Sequence, residues 1–262
     1  MFFIARLPMK VLQMACFIDL ELEEQDMRCQ IGPNNINTLY NRAVQEFLDT
    51  PNSQLLYRFK HQTIVWIANR IDHLFSKYKN CKYATLNRVL VVIYYLAHSL
   101  SHTTLCDKFK IPRSSLNNIL WTTMEILYNE LSSEFIYLFN RPIEYFEEHS
   151  ALFQSRYGLQ NIFAAIDGTC IAVKAPNRSD WYSYINKDGI ISMKTQVLVD
   201  FNYCILDICS GYPGGVHDAA VFEDSDFKTQ MASADSFIST RFKFLADSAY
   251  PELPYIQKTG QS

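Results

Sequence analysis

The stretch from Asn161 to Ala175, NIFAAIDGTCIAVKA, constrains the fold of this chain more than any other, because it sets a single carboxylate, Asp167, inside an otherwise apolar strand. Read with the two-residue period of a β-strand, Phe163, Ala165, Asp167, Thr169, Ile171 and Val173 share one face, and Ile166, Gly168, Cys170 and Ala172 share the other. Both faces are mostly apolar, which predicts an internal strand covered on both sides. An ionised carboxylate there is costly unless a donor or a cation meets it at the edge of the sheet. Gly168 leaves room beside it for a ligand or another backbone. The plainer alternative is an Asp that closes a tight turn and bonds its own backbone. A second acid, Asp247, ends another short apolar strand, Phe242 to Ala246 (FKFLA), ahead of Ser248, Ala249, Tyr250 and Pro251. Two acids at strand ends point to one site.

The chain is long and apolar enough, at 262 residues and 48% hydrophobic, to bury the core of one or two globular domains. Its net charge of -3 conceals an asymmetry. Arg58 to Arg113 holds ten Lys and Arg against two acids, a balance of +8, whereas Asn161 to Ser262 holds eight basic residues against twelve acids, a balance of -4. A basic block beside an acidic one suggests a polyanion-binding module joined to a domain able to hold cations. A solvated helix face explains some of the basic residues but not their confinement. The cysteines (Cys16, Cys29, Cys81, Cys106, Cys170, Cys204, Cys209) are scattered, odd in number and without a C-x-x-C pair, so reduced thiols are expected rather than a disulfide frame or a zinc site. Arg6, Pro8 and Lys10 interrupt the apolar start, which is too short for a membrane span and poor as a signal peptide.

Residues 11 to 50 suggest one or two helices around a Gly32-Pro33-Asn34 break. Residues 54 to 80 read as one amphipathic helix with Leu55, Phe59, Ile64, Ile67, Ile71 and Phe75 inside, and Leu86 to Leu100 as a second with a wide apolar face. A short helix, Thr103 to Phe109, a turn, Lys110-Ile111-Pro112, and a longer helix, Arg113 to Leu131, follow, with Pro112 suited to the start of the longer one. Leu105, Phe109, Ile111, Leu116, Ile119 and Leu120 would pack the corner. That is helix-turn-helix geometry, which lays the start of its second helix in the DNA major groove. Here that start presents Arg113, Ser114, Ser115, Asn117 and Asn118, with Lys108 and Lys110 flanking the backbone. Arg reads guanine, Asn reads adenine, and Ser and Lys hold phosphates. An ordinary helical corner is the alternative reading.

An acidic helical connector, residues 132 to 160, ends at Tyr157-Gly158, and strands begin after it. Asn161 to Ala175, Ser192 to Phe201 and Cys204 to Ser210 read as an antiparallel meander, with a polar loop carrying Trp181, Tyr182 and Tyr184 after the first strand. Asp218 to Met231 reads as a helix. A right-handed crossover through it would set Phe242 to Ala246 parallel to the first strand, so that Asp167 and Asp247 lie near one end of neighbouring strands.

The order IDGT, a polar aromatic loop, a meander, GYPGGVHDAAVF and FLADSAYP resembles the DDE superfamily transposase domain of the PIF/Harbinger type, and Harbinger transposase-derived nucleases in particular. The resemblance covers roughly residues 85 to 262. It implies an α+β chain: an N-terminal all-α helix-turn-helix region followed by an RNase H-like α/β domain with a mixed sheet. The expected layout is a helical segment at 1–53, a DNA-binding region at 54–131, the connector at 132–160 and an endonuclease domain at 161–262, incomplete at its C-terminal side. The resemblance also implies a divalent-metal site of three acids, with Asp167 as the first and Asp247 as the second. The family's third acid lies on a later helix, and no residue up to Ser262 takes that role.

Two Mg2+ or Mn2+ ions roughly 3.5 to 4 Å apart activate a water and stabilise the leaving oxygen of a phosphodiester. Carboxylates suit such hard cations. His217 and Asp218 match a family motif and are expected in a supporting role, although Asp218 also suits a helix N-terminus. Asp200 and Asp207 are weaker candidates, and Trp181, Tyr182 and Tyr184 are candidates for stacking on bases. The leading expectation is a metal-dependent DNA endonuclease, and the rival is a transposase-derived DNA-binding or partner-binding protein without catalysis. The family further implies a nuclear protein, with the cytoplasm as a second compartment, and allows for a small partner protein that supplies DNA binding. No membrane association is expected, and the sequence sets no oligomeric state.

Overall fold

The computed structural model describes residues 46–47, 53–75, 83–136, 138–233 and 237–259. The helices expected around Gly32-Pro33-Asn34 lie outside the described residues. The chain divides into two compact units, one ending at Phe135 and one starting at Ile136.

In the first unit, the amphipathic pattern of residues 54–80 forms two helices, α1 (Ser53–Tyr57) and α2 (His61–Phe75), where one was expected. The break falls at Arg58, whose φ of 59° is left-handed and cannot continue a right-handed helix. Phe59, Ile64, Ile67, Ile71 and Phe75 are buried as the period predicts, but Leu55, expected inside, is 78% exposed on the short helix before the break. The next helix, α3 (Thr85–His98), buries every residue from Val89 to Ile93 and so forms the centre of this unit. Arg88 on the same helix is buried too. It donates to the Tyr83 carbonyl at 3.2 Å and lies 4.8 Å from the centre of the Phe75 ring, which removes it from the basic surface.

Helix α4 (His102–Phe109), the turn Lys110 to Pro112 and helix α5 (Arg113–Phe135) come next. The Ser101 hydroxyl caps α4 by accepting from Thr104 N at 3.2 Å. Lys110, with φ of 53°, ends α4, and the amide of Ile111 donates to the Cys106 carbonyl. All six residues expected at the corner are buried: Leu105, Phe109, Ile111, Leu116, Ile119 and Leu120.

The second unit opens with the short 3-10 turn Leu138–Asn140 and helix α6 (Ile143–Tyr157), which ends at Gly158 with φ of 73°. Its sheet contains β1 (Ile162–Ala172), β2 (Ser192–Asp200), β3 (Ile205–Pro213), β4 (Lys243–Ala246) and β5 (Ile256–Lys258), in the order β3-β2-β1-β4-β5. The first three strands form the antiparallel meander, β4 is parallel to β1, and β5 is parallel to β4. The segment expected as one helix after β3 forms two, α7 (Asp218–Glu223) and α8 (Asp226–Met231), followed by α9 (Phe237–Arg241). Ser225 makes the break: its hydroxyl donates to the Phe222 carbonyl at 2.6 Å and accepts from Lys228 N at 3.1 Å, capping α8.

Helices cover the two sheet faces. Phe146 of α6 packs against Phe163 and Phe242 with ring centres 5.2 and 5.8 Å away, while Phe222 and Phe227 pack against Phe244 from the other side. The protein is thus α+β, with helices first and an RNase H-like mixed sheet after them. The cover does not extend along all of β1. Ile162 to Ile166 is largely buried, but Asp167, Thr169, Cys170 and Ala172 are exposed, because β4 pairs only with residues 162 to 165. The strand is internal at its start and open beyond Ile166, which corrects the expectation of cover throughout.

Candidate active site

Asp247 follows the end of β4 as expected, but Asp167 lies midway along β1 rather than at its end, because β1 runs on to Ala172. Ala165 and Leu245 are the last paired residues of β1 and β4, so Asp167 and Asp247 each lie two residues beyond that pair. Strand alternation points Asp167 to the face of β1 that carries Phe163. Both carboxylates are exposed. Each also accepts a local amide: Asp167 Oδ1 from Gly168 N at 2.7 Å, and Asp247 Oδ1 from Ala249 N at 2.9 Å. The bond to its own backbone foreseen for Asp167 is therefore present. Each amide holds one oxygen of its carboxylate.

Gly168 has a specific reason to be glycine. A Cβ there would lie 2.0 Å from Asp218 Oδ1, so the group that approaches this position closely is a carboxylate from the start of α7. Asp218 therefore sits on the Gly168 face, opposite the side chain of Asp167. Its Oδ1 is 3.1 Å from Lys194 Nζ on β2, an ion pair between mostly buried groups without an aligned hydrogen bond. His217 is exposed directly before it. Lys194 escaped the sequence reading. The meander register would have found it, since it pairs Gly168 with Gln196 and Cys170 with Lys194 on one face.

Tyr250 also emerges from the structure alone. Its ring is buried against Phe222, and its hydroxyl is enclosed with no hydrogen-bond partner. Burial raises the phenol above its ordinary pKa, and the negative charges of Asp218, Asp167 and Asp247 raise it further.

Among the described residues, no three His, Cys, Asp or Glu side chains are grouped closely enough to hold a metal ion. Asp167 and Asp247 supply two hard oxygen donors. That set fits Mg2+ or Mn2+ bound through one or two carboxylates with water and substrate oxygens around the rest of the ion.

The other candidates are dispersed. Lys108, Lys110, Arg113, Ser114, Asn117 and Asn118 are exposed, and Ser115 is half-buried at the start of α5. Trp181 and Tyr182 are exposed but Tyr184 is buried, so it is packed rather than available for stacking. Asp200 is buried in hydrogen bonds to α6 and a turn, which removes it from any role at the acids. Asp207 lies beside Leu198 on β3.

A mixed five-stranded sheet flanked by helices is the architecture of the RNase H-like fold. Residues 166–261 match the family described as DDE superfamily endonuclease. The chain is 23% identical over 178 residues to "Putative nuclease HARBI1" of Rattus norvegicus, covering 67% of this chain and 50% of that protein, and the Homo sapiens protein of the same name matches to the same extent. It is 25% identical over 184 residues to "Protein ALP1-like" of Arabidopsis thaliana, covering 65% of this chain and 43% of that protein. This chain carries a DDE superfamily endonuclease domain and is homologous to these proteins. It spans about half the length of the curated relatives it matches. No solved structure matches it.

Proposed function

We propose that this protein is a transposase-derived, divalent-metal-dependent DNA endonuclease in which Asp167 and Asp247 hold the metal. The placing of these two acids, each two residues past the last pair of the parallel strands β1 and β4, carries the reading. When bound, Mg2+ or Mn2+ would supply an activated water and charge stabilisation for the leaving oxygen of a phosphodiester. The protein's part is to orient the carboxylates, which the amides of Gly168 and Ala249 do. The exposed start of α5 is the proposed DNA contact, with Arg113, Asn117 and Asn118 toward base edges and Lys108, Lys110, Ser114 and Ser115 toward phosphates. A nuclear location follows from this substrate, and a small DNA-binding partner protein is compatible with it.

A second reading, a DNA-binding protein without cleavage, is favoured by the state of Asp218. This carboxylate shares the field at Tyr250 but is held by Lys194 on the other face of the sheet. Nicking of supercoiled plasmid in Mn2+ by the chain and by Asp167→Ala and Asp247→Ala separates the two. Each substitution is expected to abolish nicking and to weaken Mn2+ binding read by electron paramagnetic resonance, while duplex binding in EDTA persists. Nicking that survives either substitution rules out this pair of acids.

A further inference from the structure

On the Gly168 face of the sheet lies a cleft of about 470 Å³ that neither Asp167 nor Asp247 lines. Its size is that of pockets holding small organic ligands, about 300–1,000 Å³. The floor is made by β1 at Gly168, Cys170 and Ala172, whose small side chains leave a low, flat surface. The loop before β2 forms one wall. There the Asn186 side chain accepts from the amides of Asp188 and Ile190 at 3.0 and 2.9 Å, which holds Lys187 and Ile190 at the rim. Lys187 is exposed with no ion pair among the described residues, and Ile190 is 51% exposed. Ser192, on the inner wall, is fully buried, and its hydroxyl has no hydrogen-bond partner.

These groups ask for a ligand with distinct parts. The lining cations Lys187 and Lys194 are matched by the carboxylates Asp188 and Asp218, so a free phosphate would find little net attraction. A purely apolar ligand would leave the polar walls unanswered. A nucleotide answers the accessible features: its phosphate meets the exposed ammonium of Lys187 and its flat base lies on the floor beside Ile190. The topology supplies the route. Because β4 stops at Ala246 while β1 continues to Ala172, a strand leaving the acids can cross the open edge of β1 at Gly168 and Thr169 into the cleft.

We propose that this cleft receives one nucleotide of an unpaired DNA strand adjoining the phosphodiester held at Asp167 and Asp247. The proposal deepens, and rests on, the nuclease reading above. The probe is a single-stranded oligothymidylate carrying 5-iodouracil, crosslinked to the 262-residue chain in EDTA and mapped by mass spectrometry. Crosslinks are expected in residues 168–172 or 186–194. In parallel, fluorescence anisotropy with labelled oligothymidylate is expected to show about five- to tenfold weaker binding for Lys187→Glu and for Ile190→Asp, the loss typical of one lost base contact. Both positions are exposed, so both variants should fold. Lys243→Glu, an equal charge change on exposed surface at the other end of the sheet, is expected to stay within about twofold. Crosslinks confined to other segments, or an equal loss in Lys243→Glu, overturn the cleft assignment even if the chain nicks plasmid. Crosslinks within the cleft from a chain that does not nick uphold the nucleotide site and count against the nuclease reading alone.

Discussion

The Asp200 carboxylate serves a turn and a helix at once. Its Oδ1 accepts from the amides of Asn202 and Cys204, both at 2.8 Å, which forms the turn between β2 and β3. Its Oδ2 accepts from the Tyr145 hydroxyl and lies 3.1 Å from His149 Nε2, which ties that turn to α6. His149 Nδ1 faces the Tyr145 carbonyl at 2.9 Å, so each ring nitrogen has an acceptor within reach, an arrangement that favours the charged imidazolium. Burial opposes this charge, but Asp200 and the Tyr145 carbonyl, with a smaller contribution from Glu148, raise His149 above its ordinary value. Burial likewise pushes Asp200 up, but its bonds from His149, Tyr145 and Cys204 bring it below the usual carboxylate range. Stability from the pair is complete between the ordinary values, about pH 4 to 6.5. It is lost as pH rises through the raised value of His149 and as pH falls through the lowered value of Asp200. Thermal unfolding from pH 6 to 9 should show a steeper alkaline fall in Tm for the chain than for His149→Phe. The difference is roughly 2–4 °C for each 1 kcal/mol of stability lost. Parallel curves would mean that His149 is not charged in the folded protein. None of this was legible in the sequence, where alternation left Asp200 free to face solvent and its partner lay on a distant helix. Asp167 and Asp247 were legible because each breaks an apolar strand. Lys194 was not, because a lysine on an alternating strand reads as surface until the fold places Asp218 of α7 over Gly168.

Elements with a clean period came through at the right place, and those decided by one or two residues did not. The meander, the parallel return of β4 and the corner of α4 and α5 follow from apolar spacing and turn residues, and the structure reproduces them. The break at Arg58, the split between α7 and α8 at Ser225, and the three-residue strand β5 depend on a left-handed residue, a single cap and a pairing too short to leave a period. Lys110 shows the same dependence inside the candidate DNA-binding corner. It ends α4 in a left-handed conformation that favours glycine, yet its exposed ammonium is one of the proposed phosphate contacts. Lys110→Gly should therefore move two quantities in opposite directions. Stability should rise by about 0.5–1 kcal/mol from relief of the left-handed conformation, measured by urea unfolding. Duplex affinity should fall by about two- to fivefold from loss of one phosphate contact. A loss of affinity accompanied by a loss of stability would show instead that Lys110 supports the corner itself.

The charge asymmetry between the two halves of the sequence has a consequence for the protein as a whole. Of the basic residues counted from Arg58 to Arg113, Arg88 is spent inside the first unit and Arg70 is paired with Glu130 and Glu134 at 3.3 Å. Those at the corner, Lys108, Lys110 and Arg113, remain exposed. The second unit carries the excess of acids, including the two proposed to hold metal, so it would repel a polyanion until cations neutralise them. Duplex binding should then be dominated by the corner and depend steeply on salt, because each phosphate contact releases a counterion. The slope of log Kobs against log salt should fall in magnitude by about one for Arg113→Ala, while Asn117→Ala should reduce sequence preference with the slope unchanged. Adding Mn2+ at constant ionic strength should strengthen binding by the chain but not by Asp167→Ala, since only the intact pair of acids can be neutralised there. A salt slope indifferent to Arg113, with Mn2+ enhancement retained, would assign the DNA contact to the sheet-containing unit and leave α4 and α5 as an ordinary helical corner.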